Sequence, residues 1–371
     1  MKKKTLSFNL IRLSLITIST FSLMGYAKAQ GQIGGFVKAS AVDGNKILQA
    51  YANPFLKRHG DGWADGWTYT AKHEKFTFNL ISLSATFVDN SEKTFDASTL
   101  GLSSEVRIDV SPINQTFAGG KNTSNAAFDI YGKNHMTGQD QKITTITGPD
   151  GINLNILNRN VIPTVVTPQI GIGVLPGTEI MIRLLPDLHV GKYTEVTVLG
   201  FGAKQTLNKL IFGSGDNASK TSDMFDLAAY SGYSMEKLSY KLDIEPTDAQ
   251  KITSGNQNTN YQNQKLQMRT TDFTVGALIS KKIWFITPHA GIAYSASQTT
   301  LSAIGTYPVP VIGPTGLSSV SNVDNPFLVA GSHNGMSANF GLNINLFLIK
   351  INTEYIISKY NRLNVGLSIF F

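Results

Sequence analysis

The sequence contains no cysteine, which excludes a disulfide framework and a lipoprotein anchor. Charge is scarce too: Asp, Glu, Lys and Arg together make up 15% of 371 residues. Beyond the first few dozen residues no apolar run approaches the roughly 18 residues of a transmembrane helix. The six histidines are scattered, and neither H-E-x-x-H nor G-x-S-x-G occurs, so zinc-hydrolase and nucleophile-elbow signatures are both missing. "GIGVLPG", Gly171 to Gly177, lacks the Gly-Lys-Ser/Thr ending of a phosphate loop and reads as a β-turn. The sequence therefore points to no enzyme, metal or cofactor, and to no nucleic-acid partner.

What is present begins with Lys2, Lys3 and Lys4, a short apolar core from Leu13 to Met24, and Ala27-Lys28-Ala29 before Gln30. That is the pattern of a cleaved secretory signal peptide over 1–29. Those residues carry Lys2, Lys3, Lys4, Arg12 and Lys28 and no acid, so removing five positive charges lowers the net charge from +7 to +2. The basic balance is thus no argument for nucleic acid. An exported chain with few charges and many short apolar alternations is either a secreted β-protein or a membrane barrel.

The C-terminus favours the barrel. Phe340, Leu342, Ile344, Leu346 and Leu348 alternate with Asn339, Gly341, Asn343 and Asn345. Ile351, Thr353, Tyr355 and Ile357 alternate with Lys350, Asn352, Glu354 and Ser358; Leu363, Val365, Leu367, Ile369 and Phe371 alternate with Arg362, Asn364, Gly366 and Ser368. Successive strand side chains face opposite ways, so each segment has one apolar and one polar face. Their length, about 9 to 11 residues, is that of a membrane-spanning strand. Asn364, Gly366, Ile369 and Phe371 fit the terminal strand that outer-membrane assembly machinery reads.

The same period recurs upstream. Ile81, Leu83, Ala85 and Phe87 alternate after a phase slip near Leu80 that points to a bulge. Ile180, Ile182 and Leu184 oppose Glu179 and Arg183. Turn-rich pieces such as "NQTFAGGKNTSN", "TSGNQNTNYQNQ" and "YPVPVIGPTGLSSVSNVDNP" separate the strands and have the length of external loops. The expected fold is all-β: a closed antiparallel transmembrane β-barrel of about 12 to 14 strands over 74–371.

One segment, 30–73, is not barrel-like. Ile47, Leu48, Tyr51 and Phe55 recur at helical spacing, Asp43 is placed to cap the helix, and Pro54 is expected to kink it or to start a second turn. Such a helix has two homes, inside the lumen as a plug or below it in the periplasm. "DGWADGW" spaces Asp61/Asp65 and Trp63/Trp67 four apart. It reads first as the corner into the first strand, with the indoles packed there or at the membrane interface. Second comes a ligand contact at the barrel mouth; a calcium loop would need a tighter oxygen pattern. The plug or lumen contacts are then Asn53, Pro54, Phe55, Trp63 and Trp67, and the lumen wall Glu179, Arg183, Asn343, Asn345, Asn352, Glu354 and Arg362.

"TPQIGIGVLPGTEIMIRLLPDLHVGKYTEVTVLGFGAKQTL", 167–207, resembles the central block of an uncharacterised Bacteroidota outer-membrane protein family, on Pro168-Gln169, Gly177-Thr178-Glu179, Arg183 to Pro186 and Gly200-Phe201-Gly202. The stretch "DGWADGWTYTAKHEKFTFNL" and the turn "DNSEKTFD" are similar to that family as well. After Ala203 the family pattern has a basic residue and a histidine, where this chain has Lys204-Gln205. At fold level, helical plug plus barrel is similar to the outer-membrane long-chain fatty-acid transporters, with Asn53-Pro54-Phe55 echoing their plug motif. The resemblance implies a plugged outer-membrane channel for passive uptake of a small hydrophobic solute. Solute would be captured by the external loops and passed along the plug; outer-membrane lipid, lipopolysaccharide and the assembly machinery would be its partners. A non-transporting structural or adhesive barrel is the competing expectation.

Overall fold

Ten antiparallel strands close on themselves in the computed structural model, which describes residues 41–109, 111–120, 125–151, 155–156, 158–166, 168–213, 224–246, 261, 263–312 and 316–370. The expected signal peptide and the terminal Phe371 lie outside those residues. The barrel strands are β1 (Phe76–Phe87), β2 (two collinear pieces, Arg159–Val166 and Gln169–Leu175), β3 (Thr178–Val190), β4 (Thr194–Thr206) and β5 (Asp226–Lys241). They continue with β6 (Lys265–Ser280), β7 (Ile286–Ile304), β8 (Leu328–Leu346), β9 (Ile349–Ile357) and β10 (Arg362–Phe370). Each pairs with its sequence neighbours, and β10 returns to β1 with Ser84 opposite Asn364. The register of that closing pair shifts between Asn79 and Ile81, at the phase slip in the sequence.

Ten strands replace the expected 12 to 14. Further strand-forming sequence, Ala127–Lys133, Asp140–Thr147, Thr306–Ile312 and Ser318–Asp324, pairs in small sheets outside the barrel. A small sheet covered on one face has the same period of two as a barrel strand, so alternation alone does not separate them. The piece "YPVPVI…SSVSNVD" is accordingly a β-hairpin, not an unstructured loop.

Leu83, Ile172, Leu184, Phe201, Tyr233, Phe273, Ile292, Phe340, Ile357 and Val365, one from each strand in turn, are exposed on the outside. A closed apolar belt of this kind is far larger than the patch a water-soluble monomer carries. It is the exterior of an outer-membrane-type barrel, whose closure pairs every strand edge.

The two ends of the barrel differ. The connections 88–158, 242–264 and 305–327 all leave one end, here the loop side. The opposite, turn side has the tight connections 176–177, 281–285 and 347–348 as well as 207–225. Gly177 at φ 83° makes the first of these turns, a conformation that only glycine adopts readily.

Helix α1 (Ala41–Trp63) precedes the barrel. Asp43 accepts from the Ser103 backbone N–H at 3.2 Å and from its hydroxyl at 2.5 Å, which ties the helix start to the loop side. Ile47, Leu48, Ala52 and Leu56 then bury one face in an apolar core with Phe128, Ile130, Tyr307, Phe327 and Val329 from the loops and strand ends. The helix runs on through Pro54, so the second turn expected to start there does not form. The helix ends at Trp63, and Gly66 at φ 78° turns the chain. Asp65 and Trp67 therefore lie beyond the helix, not on a shared face with Asp61 and Trp63.

Candidate functional site

The lower half of α1 and the extended segment 64–75 run down the bore of the barrel, and the wall binds them all the way. At the loop side Asn45 accepts from the Leu328 N–H (3.1 Å), and Gln49 exchanges two bonds with the Ala330 backbone (2.8 and 3.0 Å). Arg58, fully buried, donates to the Phe87 carbonyl (2.9 Å), pairs with Glu92 and lies over the Tyr360 ring. Below it, His59 Nε2 meets Glu236 at 2.8 Å, and Asp61 meets His333 Nδ1 at 2.9 Å.

The centre of the bore is a two-arginine clamp. Arg362 grips Asp65 with Nε and Nη2, each 2.8 Å from a carboxylate oxygen, while Ser84 donates to the same carboxylate at 2.7 Å. Arg183, with no exposed surface, donates to the carbonyls of Trp63 (3.0 Å) and Asp65 (2.6 Å) and to Gln169 (3.0 Å). Its guanidinium sits 3.8 Å above the Trp67 ring. Such a cation is held by backbone oxygens and a π-face together.

Both indoles of the DGW repeat are buried in the bore, and neither reaches the membrane interface. Trp63 packs on Val196 and Val198. Trp67 fills a hole made by Gly202 and Gly232, which face each other across β4 and β5. A Cβ at Gly232 would stand 2.3 Å from the Trp67 ring. Gly232→Val should therefore lower stability by about 1–3 kcal/mol, the usual cost of overpacking. Urea unfolding in lipid vesicles would show it; an unchanged midpoint would mean that Trp67 is not seated there.

Towards the turn side Tyr69 donates to Asn364 (2.8 Å), and Asn343 donates to the Tyr69 carbonyl (2.5 Å). Lys204 bridges Glu179 (2.9 Å) to the carbonyls of Thr70 and Lys72 (3.1 and 3.0 Å). Lys350 pairs with Glu74. Two small cavities, of ≈ 20 Å³ and ≈ 30 Å³, lie beside 64–70, each enough for one or two waters.

Of the expected wall residues, Arg183, Arg362 and Asn343 touch the plug directly, and Glu179 accepts from the Glu74 N–H at 2.7 Å. Asn352 bonds Ser368 and Glu354 bonds Asn339 within the wall, and Asn345 reaches Phe285 and Thr287 at the turn side. Among the expected plug contacts, the buried Pro54 accepts at its carbonyl from Arg58 (3.3 Å), the Phe55 ring lies tilted against Phe117 and His59, and Asn53 is half-buried. Gly366 faces inward beneath the Tyr69 hydroxyl and Ile369 faces outward. Sequence reasoning missed His59, Asp61, Asp65, Glu236, His333 and Lys204. For Lys204, Glu236 and His333 the signal was a lone ionisable residue on the inward phase of a membrane-length strand, whereas His59, Asp61 and Asp65 lie in the segment before β1 and carried none. No group of three or more metal-ligating side chains occurs among the described residues.

No curated protein matches the chain. Three solved structures illustrate its likenesses. The attachment invasion locus protein Ail of Yersinia pestis, in complex with the heparin analogue sucrose octasulfate, is 8% identical over 52% of this chain and 92% of its own, with a TM-score of 0.23. The translocator domain of the autotransporter NalP from Neisseria meningitidis is 10% identical over 84% and 91%, with a TM-score of 0.27. The outer membrane transporter YddB from Escherichia coli is 10% identical over 80% of this chain and 41% of its own, with a TM-score of 0.28. The model of a family of unknown function, DUF6588, matches residues 1–371, and the chain belongs to that family.

Proposed function

We propose that this DUF6588 protein is an outer-membrane β-barrel of a Gram-negative bacterium, exported by a cleaved signal peptide and held shut by its own N-terminal segment. It acts from its loop-bearing face, as a structural or adhesive barrel, and not as an open pore. The observation that carries this reading is the threaded bore, bound along its length by wall side chains, where the two cavities beside 64–70 hold ≈ 20 and ≈ 30 Å³. Each has room for a water or two and not for a small organic solute. The apolar belt would sit in lipid with lipopolysaccharide outside, and Asn364, Gly366 and Ile369 would lie in the strand the assembly machinery engages. No reaction, cofactor or nucleic-acid partner is part of the reading.

Passive uptake of a small hydrophobic solute is the second reading. Two cavities beside the non-helical 64–70 segment favour it, since that is where a path would open. It would require Asp65 to leave Arg362, and the solute would then face a wall of Arg183, Glu236, Asp272 and Glu354. Asn53-Pro54-Phe55 of the fatty-acid-transporter resemblance would have to meet solute at the loop-side core, where Phe55 now contacts Phe117.

The intact protein in planar bilayers should show no steady conductance, and liposomes containing it should take up hydrophobic probes no faster than empty ones. A steady open channel, or saturable uptake, would replace the closed-barrel reading with the transport one.

A further inference from the structure

The direction in which the plug runs has a consequence for where the chain starts. An even number of strands puts the beginning of β1 and the end of β10 on the same side, the turn side. The preceding segment then crosses the whole barrel. Asn45, Gln49, Leu56, Asp61 and Tyr69 meet Leu328, Ala330, Gly331, His333 and Asn343, in that order along β8. The chain thus enters at the loop side and descends to Phe76. A helix of this length covers about 35 Å, more than the roughly 25 Å height of a barrel's apolar band.

This direction is fixed by side chains at both ends. The upper end is tied by Asp43 to Ser103 and by the apolar packing of Ile47 and Leu48 against the loop sheets. The lower end is tied by Glu74 to Lys350 and by the Lys204 bridge. A plug entering from the turn side would set Ile47 and Leu48 against the charged lower wall.

We propose that the start of α1 stands on the cell surface and that the chain enters the barrel from outside, so that α1 threads and anchors the barrel from its outer face. The assignment rests on the loop side facing outward, as in the reading above; outer-membrane barrels carry their long loops outside and their short turns in the periplasm. The helix start and the loop sheets packed against it then form one outer face.

The absence of cysteine makes the test direct. Single substitutions Val42→Cys, Met136→Cys and Lys282→Cys place one thiol at the helix start, in the loop sheet and in a turn-side connection, all exposed in the structure. Intact cells making the full chain are treated with a polymer-linked maleimide too large for general porins, before and after outer-membrane permeabilisation. Val42→Cys should be modified in intact cells to the same extent as Met136→Cys, and Lys282→Cys only after permeabilisation. Modification of Met136→Cys alone in intact cells overturns the outward helix start while the outward loops stand. Modification of Lys282→Cys in intact cells with Met136→Cys silent overturns the orientation itself, a separate failure.

Discussion

Excising Gly44 to Trp67 should turn a silent barrel into one with a steady, voltage-independent conductance in planar bilayers. The segment removed is most of a helix about 10–12 Å across with its side chains, and it leaves a wall that water wets readily. Arg183, Glu236, Asp272, Glu354 and Arg362 all point into the vacated space. Eight strands make a barrel just wide enough for side chains to fill, and ten make a wider one, so wall side chains cannot reseal the gap. The excision also strands charges that now pair across the plug, so the variant will be less stable, and its folded state must be checked by heat-modifiable migration on gels. A second variant, with 44–67 exchanged for a Gly/Ser linker of the same length, keeps the chain connected and should flicker between closed and open. If the excised protein is folded and remains silent, the N-terminal segment is not the barrier, and both the closed-barrel reading and any gated-uptake reading lose their basis.

The sequence and the structure agree where lipid imposes the pattern. β8, β9 and β10 alternate cleanly because one face meets hydrocarbon and the other meets the plug, so apolar and polar positions cannot mix. Strand number was less legible. Ala127–Lys133 and Asp140–Thr147 alternate because they cover loop-side packing, a different cause with the same period. The helix was legible from Ile47, Leu48, Tyr51 and Phe55, but its address was not. Nothing local distinguishes an apolar stripe that packs on loop sheets from one that lies on a membrane surface. The DGW repeat shows the limit most clearly. Tryptophan preference points to an interface, yet Trp67 is buried because Gly202 and Gly232 meet opposite each other across β4 and β5, a pairing visible only once the register is known. The glycines in "LGFGAK" and "YSGYS" sit in the inward phase of their strands. Read as holes rather than as flexible points, they would have announced that something large enters the bore.

Arg362→Met should cost the folded protein about 3–5 kcal/mol, the usual loss when one partner of a buried ion pair is removed. Arg362 contributes three bonds to Asp65, two of them shared by Nε, and also donates to Ser358 (3.0 Å) and to the Tyr360 carbonyl (3.3 Å). Without it, Asp65 keeps the Ser84 hydroxyl and the distant end of Arg183, too little to hold an ionised carboxylate away from water. Arg362→Lys restores charge but not the planar two-pronged contact, so it should recover only part of the loss. Asp65→Leu should be costly for the mirror-image reason, leaving Arg362 with its bonds to Ser358 and the Tyr360 carbonyl and with Asp61 at 4.0 Å. The double substitution Arg362→Met/Asp65→Leu removes both charges together. It should be less damaging than the sum of the singles, because neither is left unpaired. Urea midpoints of the unchanged protein, Arg362→Met, Asp65→Leu and the double variant in lipid vesicles, followed by tryptophan fluorescence, give the coupling directly. The same substitutions should raise the frequency of brief conducting events, since this pair joins the plug to the final strand. If Arg362→Met costs less than about 1 kcal/mol, as a solvent-screened surface pair does, then water reaches Asp65 freely. The bore would then be open to solvent at its centre.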